Sequence, residues 1–230
     1  MNSLLIALFV VAFLAGGALL FYVIRLSAKR RAEIEQMAHN NGWGYHFIPA
    51  SGGSGSSTII DDKSAGWMLE IFVQSSSNSN SSNSSTRWSM FTHEKAGIDQ
   101  GMAVLGPEIP AKTAAMADKF LGMMGGDIGR WMLDKITGGL GKEAAGLRSV
   151  TGDGSGHLMA SPGAETALDQ IREMPDLLAA RLGKSDNHQP IVMRGPFGMR
   201  LRVSRMLKTA DEVENFIKLG LSISHNLAKP

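Results

Sequence analysis

Few residues in this 230-residue chain have types and spacings suited to chemistry. Gly183-Lys184-Ser185 has the residue types that close a phosphate-binding loop, where the lysine reaches phosphate and the hydroxyl a metal. That loop also needs an earlier glycine, but the position holds Leu178, and helix formers precede the triplet instead of a strand; it is read as a helix terminus. Gly152-Asp153-Gly154-Ser155-Gly156 lacks the dinucleotide spacing and is read as a turn. His93-Glu94 is followed by Gly97 where a zinc-protease helix needs its second histidine, and no G-x-S-x-G elbow occurs. His39, His46, His93, His157, His188 and His225 are scattered without ligand spacing. Asp61 and Asp62 are adjacent, so on a strand they project to opposite faces, which suits a turn better than paired acid–base work. No catalytic residue, cofactor or metal is therefore expected. An enzyme with a site assembled only by folding ranks third among the functional readings.

The remaining candidates are contact residues. Arg25, Lys29, Arg30 and Arg31 follow a long apolar run and are expected to lie at a membrane surface. Arg194, Arg200, Arg202, Arg205 and Lys208 form a second basic group, read either as a solvated strand face or as a contact for anionic lipid or an acidic protein. Arg200 and Arg202 are its candidate contact residues. No aromatic residues interleave these charges in a nucleic-acid-binding pattern. Charge balance also argues against that partner. Of 23 basic side chains four precede Ala32, where no acid occurs, so the rest carries 19 basic against 21 acidic groups, about −2. The chain has no cysteine, which excludes disulfides, thiolate zinc sites and a cysteine nucleophile, and is compatible with a reducing cytoplasm.

The apolar run, residues 4–24, contains no charge and is long enough as a helix to cross the ~30 Å core of a bilayer. A cleaved secretory signal would want a basic segment before a shorter run. Here the charges follow a long one, which predicts an uncleaved anchor, with the N-terminus outside and the chain beyond it in the cytoplasm. Ala12 and Gly16 have a spacing that permits close helix contact, although small residues are common in spans. Residues 26–40 contain no Pro or Gly and should prolong the helix, with Asn41-Gly42 as its stop.

Beyond Gly42 the pattern becomes β. Trp43, Tyr45 and Phe47 fall on one side of an extended segment, Thr58-Ile59-Ile60 follows a Gly/Ser loop, and Trp67, Leu69, Ile71 and Val73 alternate with Met68, Glu70 and Phe72. A Ser/Asn run over residues 75–85 reads as a mobile hairpin loop, with its glycosylation-like triplets produced by composition, and residues 86–91 form the returning strand. Residues 102–146 are rich in Gly and Met. There Met116, Phe120, Met124, Ile128, Met132, Ile136 and Leu140 recur at every fourth position, with Trp131 beside them. The glycines weaken that helix, so it must pack on the β region, on another protein or in the lipid interface. Phe120, Met124, Ile128, Trp131 and Met132 are its candidate contact residues. Residues 147–230 read as a small α+β unit on the same core. It has two short strands, two helices divided at Pro175, a hairpin around Gly195-Pro196-Phe197-Gly198 and a final helix from Ala210.

The single span, Gly42-Trp43-Gly44-Tyr45, Gly66-Trp67-Met68-Leu69-Glu70 and Thr86-Arg87-Trp88 together resemble a loosely defined group of uncharacterised bacterial proteins. Their C-terminal layout, with Leu177-Leu178 in the middle helices and Leu219-Gly220-Leu221 in the last, is similar too. The resemblance implies a bacterial inner-membrane location and carries no activity. The expected fold is α+β: one N-terminal transmembrane helix (1–41), an antiparallel β-meander (42–101), a helical Gly/Met segment (102–146) and the C-terminal unit with helices packed on the sheet. The expected role is a non-enzymatic accessory or scaffold protein that meets membrane lipid and another membrane protein or a second copy, through the anchor and the Met-rich segment. The alternative is a domain that binds or senses the inner leaflet.

Overall fold

The computed structural model describes residues 3–52, 54–76, 84–107, 147–150, 157–182 and 189–228, with residues 3–10, 75, 76, 84, 149 and 157 described by backbone alone. The architecture is α+β. Helix α1 (Ser3–Asn40) is followed by β1 (Gly44–Ile48), β2 (Ser56–Asp62), β3 (Trp67–Ser76), β4 (Ser84–His93), a 3-10 turn (Glu94–Ala96) and β5 (Ala103–Gly106). The C-terminal part contributes β6 (Arg148–Val150), β7 (His157–Ala160), α2 (Glu165–Arg172), α3 (Pro175–Arg181), β8 (Ile191–Gly195), β9 (Gly198–Val203) and α4 (Ala210–Leu227). All nine strands join one antiparallel sheet in the order β1-β2-β3-β4-β9-β8-β5-β7-β6. The meander and the C-terminal unit meet where β4 pairs with β9, setting Phe91 opposite Leu201 and His93 opposite Met199.

Strand alternation sends one set of side chains to a face covered by helices. On it Ile60, Leu69, Ile71, Phe91, Met199, Leu201 and Val203 form a core with Ile34, Met37 and Ala38 of α1 and Val213, Phe216, Ile217 and Ile223 of α4. Trp67 links the two ends of this layer, edge-on to Trp43 with ring centroids 5.1 Å apart and stacked on Phe91 at 5.7 Å. At Gly220 of α4 an added Cβ would fall within contact range of the Phe91 ring, so the absence of a side chain lets the helix lie directly on the sheet. Thr209 starts α4 by accepting the Glu212 N–H at 3.2 Å, while the Glu212 carboxylate accepts the Lys208 N–H at 2.7 Å and the Arg205 guanidinium at 2.8 Å.

The segment over 102–146 begins differently from its helical reading. Ala103–Gly106 is strand β5, between β8 and β7, with every residue buried. A four-residue apolar run carries no period that separates a central strand from a helix. On the opposite sheet face Met102, Val104, Leu147, Met159, Ile191 and Met193 form a second buried cluster with Phe197 against it, so β5 and β8 are buried on both faces. The Met116 to Leu140 stripe lies outside the described residues, and with it the contact candidates Phe120, Met124, Ile128, Trp131 and Met132. Gly183-Lys184-Ser185 and the glycine turn at 152–156 lie outside them too. The Ser/Asn loop is shorter than its composition suggests, because Ser75 pairs with Ser85 and Ser76 with Ser84 before the hairpin leaves the described residues.

Candidate membrane-facing surface and arginine sites

Helix α1 continues without a break from its apolar part into the core of the domain. The apolar part is exposed on all sides: Val11 is 65% exposed, Phe13 82% and Leu20 62%, values opposite to those of a core helix. Its length and composition are those of a helix able to span a membrane. The four candidate surface cations Arg25, Lys29, Arg30 and Arg31 all lie exposed on the stretch between span and domain. Lys29 approaches Glu33 at 3.7 Å, an exposed pair of small energy, and the Arg31 guanidinium lies 4.6 Å from the Phe47 ring centre.

The second basic group does not form one patch. Arg200 and Arg202 project to the sheet face opposite the helices, half-buried, with Arg200 over Phe197 at 4.5 Å and Arg202 5.8 Å from the Trp88 ring, which itself stacks on Phe72 at 5.2 Å. Burial pushes the Arg202 pKa down from its ordinary value. Arg205 is held by Glu212, and Lys208 is exposed beside the start of α4.

Arg194 departs furthest from the sequence reading. It is 7% exposed on the helix-covered face, where its Nε donates to the Ala96 carbonyl at 3.0 Å and its Nη2 to the carbonyls of Gly97 (3.2 Å) and Leu227 (3.0 Å). Its Nη1 donates to Gln170 Oε1 at 2.5 Å. Burial lowers its pKa, and no carboxylate among the described residues pairs with it. One guanidinium thus ties β8 to the 3-10 turn, α2 and the end of α4. Arg181 acts similarly on α3, donating to the carbonyls of Gly106 (2.7 Å) and Pro190 (3.2 Å) and to Gln189 Oε1 (3.1 Å). The usable sequence signal for Arg194 is its setting: Ile191-Val192-Met193 precede it without alternation, as in a strand buried on both faces.

Beside Arg194 an open cleft of about 410 Å³ is lined by Asp99, Gln100, Thr166 and Gln170 among others. Four of the five guanidinium N–H donors already have acceptors within the fold, so the cleft's polar character comes mainly from neutral side chains and Asp99. His93 is half-buried with its Nδ1 lacking a hydrogen-bond partner, and burial with the neighbouring Lys95 lowers its pKa. Asp62 takes the expected turn role, its Oδ1 accepting from the Ser64 N–H at 3.0 Å, the Ser64 hydroxyl at 2.6 Å and the Ala65 N–H at 3.0 Å. Among the described residues no cluster of three His, Asp or Glu side chains could hold a metal. No protein-family model, curated protein or solved structure matches the chain.

Proposed function

We propose that this protein is a non-enzymatic accessory or scaffold subunit of a bacterial inner-membrane assembly, anchored by α1, with the sheet domain on the cytoplasmic side. The observation that carries the reading is the continuity of α1, exposed and apolar at one end and packed into the core through Ile34, Met37 and Ala38 at the other. A domain joined to its anchor by an unbroken helix is held at a set height and orientation, whereas a Gly/Ser linker would let it wander. Any partner bound to such a domain is presented to the membrane in one geometry, which is what an assembly subunit supplies. The excess of basic residues on the domain side of the span supports the cytoplasmic orientation.

The test is gentle detergent extraction of the full-length protein from its own membranes, followed by size-exclusion chromatography and mass spectrometry. A stoichiometric protein partner, or a defined homo-oligomer, is expected. A monomer carrying bound lipid would retire this reading in favour of the inner-leaflet lipid-binding alternative, which the half-buried Arg200, Arg202 and Trp88 face supports.

A further inference from the structure

We infer that the edge strand β1 rests in the lipid headgroup layer, so that Phe47 and Ile48 form a second membrane contact beside the anchor. The inference depends on α1 being a membrane anchor and adds the placement of the domain on the bilayer. It follows from the course of β1. The chain reverses at Gly42, whose φ of 74° is a left-handed turn, and the Trp43 N–H donates to the Ala38 carbonyl at 2.9 Å. Tyr45 feels the charges of both Glu35 and Arg31, and Phe47 lies under the Arg31 guanidinium at 4.6 Å. Successive residues of β1 therefore meet α1 at positions ever nearer the span, and the strand descends toward the membrane.

The heights follow from helix and strand geometry. Arg31 lies seven residues beyond Ile24, a rise of about 10 Å at ~1.5 Å per residue. Helix side chains lean toward the N-terminus, so the Phe47 ring stands a few Å lower than the Arg31 Cα, and Ile48 is one ~3.3 Å strand step further down. The headgroup layer is roughly 5–8 Å deep on each side of the hydrocarbon. Both side chains fall within it. They are also exposed, Phe47 by 38% and Ile48 by 51%, on an edge strand that meets Arg31 of the helix turns that also carry Arg25, Lys29 and Arg30. Cations at phosphate depth beside an aromatic and an aliphatic side chain match an anionic bilayer surface. A protein partner on the same edge would have to fit into the ~10 Å between Arg31 and the lipid.

The register extends the argument across the sheet. Ile48 pairs with Ser57, Ser57 with Phe72, and Phe72 with Trp88. This row carries a stacked Phe–Trp pair in register with Ile48 across the sheet.

The absence of native cysteine permits single labels. Full-length I48C, L14C and K63C variants, each carrying bimane, are reconstituted in vesicles of phosphatidylcholine and phosphatidylglycerol containing lipids with a nitroxide on the headgroup or deep in the acyl chain. Leu14 lies mid-span, and Lys63 is exposed in the turn about 20 Å farther along β2 from Ser57. Position 48 should be quenched several-fold more strongly by the headgroup nitroxide than position 63, with position 14 quenched by the acyl-chain nitroxide. Position 48 behaving like position 63 while position 14 is quenched overturns the placement and leaves the anchor standing. Loss of quenching at position 14 removes the anchor, and the inference with it.

Discussion

At the scale of single residues the fold depends on a buried arginine, Arg194, held by neutral acceptors. Arg194 has four acceptors on three separate segments, the carbonyls of Ala96, Gly97 and Leu227 and the amide of Gln170. Two effects oppose each other there. Replacing a buried guanidinium by an apolar chain relieves a desolvation penalty of several kcal/mol. The same change leaves carbonyls buried without donors, at about 1–3 kcal/mol each. With four acceptors affected the second effect wins, and Arg194→Met should destabilise the domain by about 3 kcal/mol. Arg194→Lys should recover little of this, because one ammonium cannot span the fork geometry. Urea unfolding in mild detergent, followed by tryptophan fluorescence, reads both variants. Stability within a few tenths of a kcal/mol of wild type would make the clamp dispensable.

The element scale is where sequence and structure can be compared most closely. The long apolar helix, the meander and the hairpin at Pro196-Phe197 were legible because each has a strong period or a turn signal: an uncharged run, the alternation from Trp67 to Val73, and Met199, Leu201 and Val203 against Arg200 and Arg202. The final helix was legible too, from Val213, Phe216, Ile217 and Gly220 on one side. Strand β5 was not, because Ala103-Val104-Leu105-Gly106 is buried on both faces and leaves no alternation to read. The buried setting of Arg194 is hidden for the same reason, as the strand around it gives no polar side from which to judge orientation. The membrane-facing role of Ile48 depends on where β1 runs relative to α1, a tertiary relation that no local pattern encodes.

A prediction at this scale concerns Gly220. In an exposed helix interior Gly→Ala stabilises by up to ~1 kcal/mol. In α4 the new methyl meets the Phe91 ring, so Gly220→Ala should instead destabilise by about 1–3 kcal/mol, the range for overpacking a core. Paired with Phe91→Leu, which makes room, the same substitution should cost less than the sum of the two alone, a coupling that a double-mutant cycle measures. Additive effects would mean that α4 does not sit directly on Phe91.

For the whole molecule, one helix carries both the stretch able to span a membrane and part of the domain core. Its outer part is exposed and apolar, its inner end is buried, and β1 turns back along it. On the proposed placement the sheet meets the membrane through a helix and an edge strand on the same side, and a partner docking on the domain would find a surface already oriented. The central claim is that the domain hangs from a retained anchor on the cytoplasmic side. The most direct measurement is labelling of a K63C variant with a membrane-impermeant maleimide in spheroplasts, before and after permeabilisation. The account predicts labelling only after permeabilisation, with the protein retained in the membrane pellet through an alkaline wash. Labelling of intact spheroplasts, or release of the protein by the wash, would contradict it.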